Sequence, residues 1–230
     1  MARRAAEARS GEVVKFADTE SLSDFRLFLE RSMPVTDSVV RLTLSEDVLR
    51  ITVCTFAPFG LLDEAPTVLG MRIMHATDSE PFDALVSTRG MLDRIAHLSY
   101  GELELGIPPM RESAAWVGID PPKGGWEKIG ELDVALLSKD ALAGIEEVAE
   151  ALPHSPGDLV VRDVRSRVWN APIEMGSEPD KQKVAVPRSV AFTGHMLGFL
   201  SAGESAQLFE SGNWLRVSTA HGHVLVGRRN

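Results

Sequence analysis

The side chains with the clearest capacity for binding chemistry gather near the middle of the chain, between Trp116 and Gly130. Pro121 and Pro122 make a stiff, extended segment, and Gly124 and Gly125 let the backbone approach another surface closely. Trp126 supplies an anchor, and Asp120 and Lys123 are placed to project into a cleft. This pattern predicts a surface for a protein partner or small ligand built from Trp116, Asp120, Lys123 and Trp126. The plainer reading is that the two tryptophans pin a connector to the cores on either side. The run is not a phosphate-binding P-loop, because no Gly-Lys-Ser/Thr follows the glycines.

A second concentration is basic: Arg162, Arg165 and Arg167, with Lys181, Lys183 and Arg188. The β-branched run from Asp158 to Trp169 reads as a strand. On a strand Arg165 and Arg167 share a face with Val161 and Trp169 and make a candidate phosphate contact. The plainer alternative is a solvated edge whose long side chains cover apolar surface.

The remaining candidates carry little. His221 and His223 form a pair without a cysteine or acidic residue near in sequence, so no metal is expected. His195 lies between Gly194 and Gly198, a spacing that suits close packing. Cys54, the single cysteine, has no basic neighbour in sequence to lower its pKa and excludes an intramolecular disulfide. The sequence holds no Gly-x-Ser-x-Gly, His-Glu-x-x-His, Gly-x-Gly-x-x-Gly or Cys-x-x-Cys motif. No catalytic residue and no cofactor are therefore assigned.

These groups need a scaffold. The chain has 230 residues, 44% hydrophobic and 25% charged, which suits a globular protein of one large domain or two small ones. No apolar run reaches the roughly 18 residues of a membrane-spanning helix, and the first residues lack the apolar core of a secretory signal. With the lone cysteine, this points to the cytoplasm. The net charge of −9 is shared by residues 1–115 (12 basic, 18 acidic) and 116–230 (12 basic, 15 acidic). Neither half is a basic domain, which argues against nucleic acid or an anionic membrane as partner.

Periodicity places the elements. Ser21–Arg31 reads as a helix capped by Ser21 or Ser23. Val39–Leu44 and Val48–Phe56 alternate as a β-hairpin around Ser45, Glu46 and Asp47. Thr67–Ala76 and Phe82–Val86 come next as strands, then a helix capped by Ser87 or Thr88, and a short strand at Leu103–Leu105. Past the central stretch, Ser138 caps a helix with Leu142, Ile145, Ala149 and Leu152 on its apolar face. Lys183–Val186 reads as a strand, and Pro187 opens a helix running to about Ala202. Gln207–Phe209, Trp214–Thr219 and His223–Val226 close the chain as a meander. The fold class is thus α+β: two α+β halves with mainly antiparallel sheets, joined by a tryptophan-bracketed Pro/Gly connector. The divisions are a tail at 1–12, halves at 13–115 and 132–230, and a structured connector at 116–131.

The run from Gly118 to Gly130, with Val168-Trp169, Leu197–Leu200 and Gly222–Gly227, resembles a group of uncharacterised actinobacterial proteins. They carry a mid-chain Pro-Pro-basic-x-Gly-Trp-Glu run and a similar C-terminal end. The resemblance implies a bacterial cytoplasmic protein and no activity.

The sequence supports three functional readings. The first is a non-catalytic protein that binds a protein partner or small ligand near the central connector. The second is a clamp-like DNA-associated protein, since paired α+β halves ending in hairpins resemble sliding clamps. Against it, a clamp needs basic helix faces, and Glu146, Glu147 and Glu150 make one helix face acidic. The third is an enzyme with its site at the junction between the halves.

Overall fold

The computed structural model describes residues 11–36, 38–60, 63, 65–153, 157–173 and 184–228. The chain is α+β, and every strand pair with a defined register is antiparallel. It divides into two compact units. One holds the described residues up to Val53 together with Met71–Val117; the other holds Cys54–Gly70 and the described residues from Gly118 onward. Among the described residues, no helix is long and apolar enough to cross a membrane.

In the first unit, strands β2 (Val39–Ser45) and β3 (Val48–Phe56) form the expected hairpin. Leu42 pairs with Ile51, and Ser45 with Val48, so Glu46 and Asp47 make a two-residue loop. Glu46 takes φ +52°, as tight hairpin turns require. The residues of the apolar phase, Val40, Leu42, Leu44, Leu49, Ile51 and Val53, are buried as expected, but Thr52 and Cys54 of the opposite phase are buried too, so the second half of β3 is covered on both faces. β5 (Phe82–Ser87) pairs with the other edge of β2, and Met71–His75 of β4 (Thr67–His75) lies beside β3. Short strands β1 (Val13–Lys15) and β6 (Glu104–Gly106) pair separately.

Helix α1 (Thr19–Ser32) buries Phe25, Phe28 and Leu29. Its cap is Asp18, whose carboxylate accepts from the Ser21 amide at 2.7 Å, rather than Ser21 or Ser23. Asp18 stands one residue before the first helical position, where its oxygen meets the free amides of the first turn. Helix α2 (Thr88–Ala96) is capped by Ser87, the first of the two candidates, and buries Met91. Arg41 holds Asp83 through two hydrogen bonds of 2.9 and 2.7 Å and donates to the Val117 carbonyl at 3.2 Å.

The second unit departs further from the sequence reading. Residues 127–131, expected in the connector, belong to β7 (Glu127–Asp133), which pairs with β8 (Ser205–Ser211) across a bulge at Ile129. β9 (Trp214–Ser218) and β10 (His223–Gly227) complete the expected meander. The order is β10-β9-β8-β7.

Helix α3 (Val134–Ala151) starts earlier than expected, capped by Asp133 rather than Ser138. Its buried face is Val134, Leu137, Ala141 and Gly144, while Leu142 is 55% exposed. The apolar positions support two stripes, and packing selected the one containing Gly144. A Cβ there would meet the Trp169 ring at 2.4 Å, so glycine makes room for the indole.

The run Asp158–Asn170 is helix α4, not a strand. Val161, Val164, Val168 and Trp169 recur at helical spacing, and Val164, Val168 and Trp169 are buried. Burying one side of a 3.6-residue repeat outweighed β-branching. Residues 184–186 are not strand, and Lys183 lies outside the described residues. Helix α5 (Ser189–Met196) stops well before Ala202. Gly198, at φ +73°, ends it in the left-handed conformation. The ring centroids of Trp169 and Phe192 lie 4.5 Å apart with the rings tilted by 42°, and Phe56 meets Phe192 edge-on at 5.5 Å. Beside them, the Thr55 and Thr193 hydroxyls share a buried hydrogen bond of 2.7 Å.

Candidate functional site

The register of β7–β10 turns alternate residues to opposite faces. Leu215 and Val217 of β9 are buried on the face packed by α5, with Val224 and Val226 of β10 beside them. Arg216 and Ser218 point the other way and are half-buried. Pairing sets Phe209 opposite Arg216, and His223 and Gln207 opposite Ser218.

Around Arg216 these side chains form a cluster. Its guanidinium carbon lies 4.5 Å from the ring centroid of Phe209 and 4.5 Å from that of Trp126. Trp126 is placed by the turn before it. Gly125 takes φ +72°, the indole N–H donates to the Pro122 carbonyl at 3.0 Å, and Ser211 donates to the Gly124 carbonyl at 3.4 Å. Arg216 Nε is buried and has no hydrogen-bond partner among the described residues. Nearby acids are engaged elsewhere: Glu131 with Lys128, and Glu210 with Arg228.

The electrostatics reflect that partial burial. Loss of water lowers the Arg216 pKa from its ordinary value, yet a guanidinium so placed stays charged at neutral pH. The His223 ring nitrogen Nδ1 lies 2.9 Å from the Ser218 hydroxyl. Burial, and then the positive charge of Arg216, push the His223 pKa down to about 4. At neutral pH the cluster therefore carries one cationic side chain, Arg216, beside a neutral imidazole and two aromatic rings.

The residues expected from sequence are distributed differently. Trp116 sits in a 3-10 turn (Ala115–Gly118) at the end of the first unit, 4% exposed, with its indole nitrogen unpartnered among the described residues. Trp126 belongs to the second unit and stays half-buried; Asp120 and Lys123 are exposed. Of the four, only Trp126 joins the Arg216 cluster. The expected basic strip is not formed. On helix α4, Arg165 and Arg167 are two residues apart and point to different sides. Arg165 is half-buried with its guanidinium 5.9 Å from the Phe56 ring centroid, and Arg167 is exposed. Arg188 binds Asp140 and Glu147, while Lys181 and Lys183 lie outside the described residues. His221 contacts Glu204 at 3.2 Å. No group of three metal-ligating side chains converges among the described residues.

Sequence reasoning missed Arg216 and Phe209. The one available signal was that Arg216 interrupts the apolar stretch Trp214–Val217. Which ring it faces depends on strand register.

Residues 10–117 match the model of a domain of unknown function (DUF8010), and residues 121–230 match that of a second (DUF8185). Among curated proteins, none matches the chain. Solved structures share its fold. One is a protein from Eubacterium rectale assigned as a DNA polymerase III beta subunit, at 10% identity and a TM-score of 0.56, covering 95% of this chain and 64% of that one. Another is the DNA polymerase III subunit beta of Borrelia burgdorferi, at 9% identity and a TM-score of 0.53, covering 95% and 65%. The chain thus spans a little under two thirds of the length of these relatives in fold. Their likeness overturns the expectation that the acidic balance argues against nucleic acid. Net charge does not discriminate in a fold that DNA polymerase III beta subunits share.

Proposed function

We propose that the protein is a clamp-like, DNA-associated protein of the bacterial cytoplasm. One observation carries the reading: the fold matches DNA polymerase III beta subunits over 95% of this chain. The helices differ in their fitness for DNA. α3 bears Glu146, Glu147 and Glu150 on its solvent side, whereas α2 carries Arg89 and Arg94 against one acid, Asp93. Phosphate contact is therefore assigned to α2.

The test is fluorescence anisotropy of labelled duplex DNA over a salt series. Binding should weaken as salt rises, and Arg89→Glu with Arg94→Glu should flatten the log–log slope by about 1 per lost phosphate contact. Absent or salt-insensitive binding refutes the reading.

A second reading, binding of a protein partner or small ligand beside the central stretch, is supported by a separate observation. Trp126 stays half-exposed next to a guanidinium that has no acidic partner among the described residues. Retention of a ligand that depends on Trp126 would support it.

A further inference from the structure

The second reading can be given a chemistry. Resting on that reading, we infer that Arg216, flanked by Trp126 and Phe209, is a receptor for a carboxylate that sits beside an apolar group, as in an acidic peptide segment.

Three observations carry this. The first is preorganisation. A free arginine side chain holds about 2 kcal/mol of rotamer entropy, and binding an anion normally costs much of it. Here the strand position and two rings at 4.5 Å already fix the guanidinium. The second is valence. Nε is enclosed and unpartnered, and no acid among the described residues pairs with the guanidinium. The terminal nitrogens are the donors left for a ligand, and they can take both oxygens of one carboxylate end-on. In a chain with 33 acidic and 24 basic residues, a half-buried arginine without an acid marks a place reserved for one from outside. Partial burial strengthens the attraction over that of a fully hydrated pair.

The third observation selects among anions. Lys128 is paired with Glu131, and the neighbouring imidazole is neutral at pH 7. One unpaired positive charge fits a monoanion better than a phosphate dianion, which would need further donors. The half-exposed Trp126 ring offers apolar contact beside the charge, as interface tryptophan and arginine pairs do. The cluster is a sheet face, so a small acid gains little area, and a peptide carrying the same group gains more.

The experiment tracks the indole N–H signals of the full-length protein by NMR, with Trp126 identified by Trp126→Phe. The four tryptophans supply three internal controls for folding. Probes are sodium phenylacetate, neutral phenylacetamide, sodium phosphate, sodium chloride and an acetylated aspartyl–phenylalanine amide. The expected result is a saturable shift of the Trp126 signal with phenylacetate, tighter with the dipeptide, and none with chloride. Affinity should fall at least tenfold in Arg216→Lys, which keeps the charge but not the planar fork, and vanish in Arg216→Gln. Equal response to phenylacetamide overturns the carboxylate inference while leaving ligand binding at Trp126 intact. Tighter binding of phosphate than of phenylacetate overturns the monoanion assignment. No saturable response to any probe overturns both the inference and the second reading.

Discussion

Lowering the pH should destabilise the protein through His223 in a way that one substitution removes. Burial and the Arg216 charge hold its folded pKa at about 4, against an ordinary 6.5. The folded value is the lower, so the unfolded chain takes up the proton first as pH falls. The stabilisation is complete above about 6.5 and is lost progressively toward 4. A gap of about 2.5 pKa units, at about 1.36 kcal/mol each, sets a ceiling of about 3.4 kcal/mol. Between pH 7 and pH 5, linkage assigns this group a loss of about 2 kcal/mol. His223→Gln keeps a polar partner for the Ser218 hydroxyl, 2.9 Å from the ring in the native protein, but cannot titrate. Urea unfolding of both proteins at the two pH values isolates the effect, because all other titrating groups are shared. The wild type should lose about 2 kcal/mol more than the variant. Equal losses, or an NMR titration of His223 near 6.5, would refute the account of a desolvated imidazole beside a fixed cation.

Gly144→Ala should lower stability by about 1–3 kcal/mol in thermal or urea unfolding, since the new methyl drives into Trp169 and overpacking outweighs the helix-propensity gain of roughly 1 kcal/mol. Thr55 donates to the Val68 carbonyl at 3.2 Å, so its partner Thr193 must donate to it. Thr55→Val should therefore cost about 1–3 kcal/mol and Thr193→Val less, with the double variant close to Thr55→Val alone; strict additivity in the cycle would contradict this. Arg41→Met should raise the Asp83 pKa, which hydrogen bonding to Arg41 holds low, and should speed amide hydrogen exchange at residues 115–118, which Arg41 fastens through the Val117 carbonyl. Unchanged exchange there would show that the 3-10 turn is held by Trp116 burial alone.

Where one side of an element faces a core and the other faces water, the sequence alone determined the structure. In the β2–β3 hairpin, period-two alternation puts Val40, Leu42, Leu44, Leu49 and Ile51 in the core, and the two cap candidates for α2, Ser87 and Thr88, both lie within one residue of the observed start. The α+β class came from those segments. Where a segment offered two apolar patterns, only tertiary packing decided. Asp158–Asn170 satisfies a strand by β-branching and a helix by spacing, and the indole of Trp169 under Gly144 settled it. Glu127–Asp133 has little apolar alternation and became a strand because β8 supplied a partner. The cluster at Arg216 was legible to the extent of one tryptophan. Trp126 could be read as an anchor, but its partners lie more than eighty residues further along the chain. Strand register, a property of the whole sheet, brings Phe209, Arg216 and His223 to one face and leaves Trp116 in a different unit.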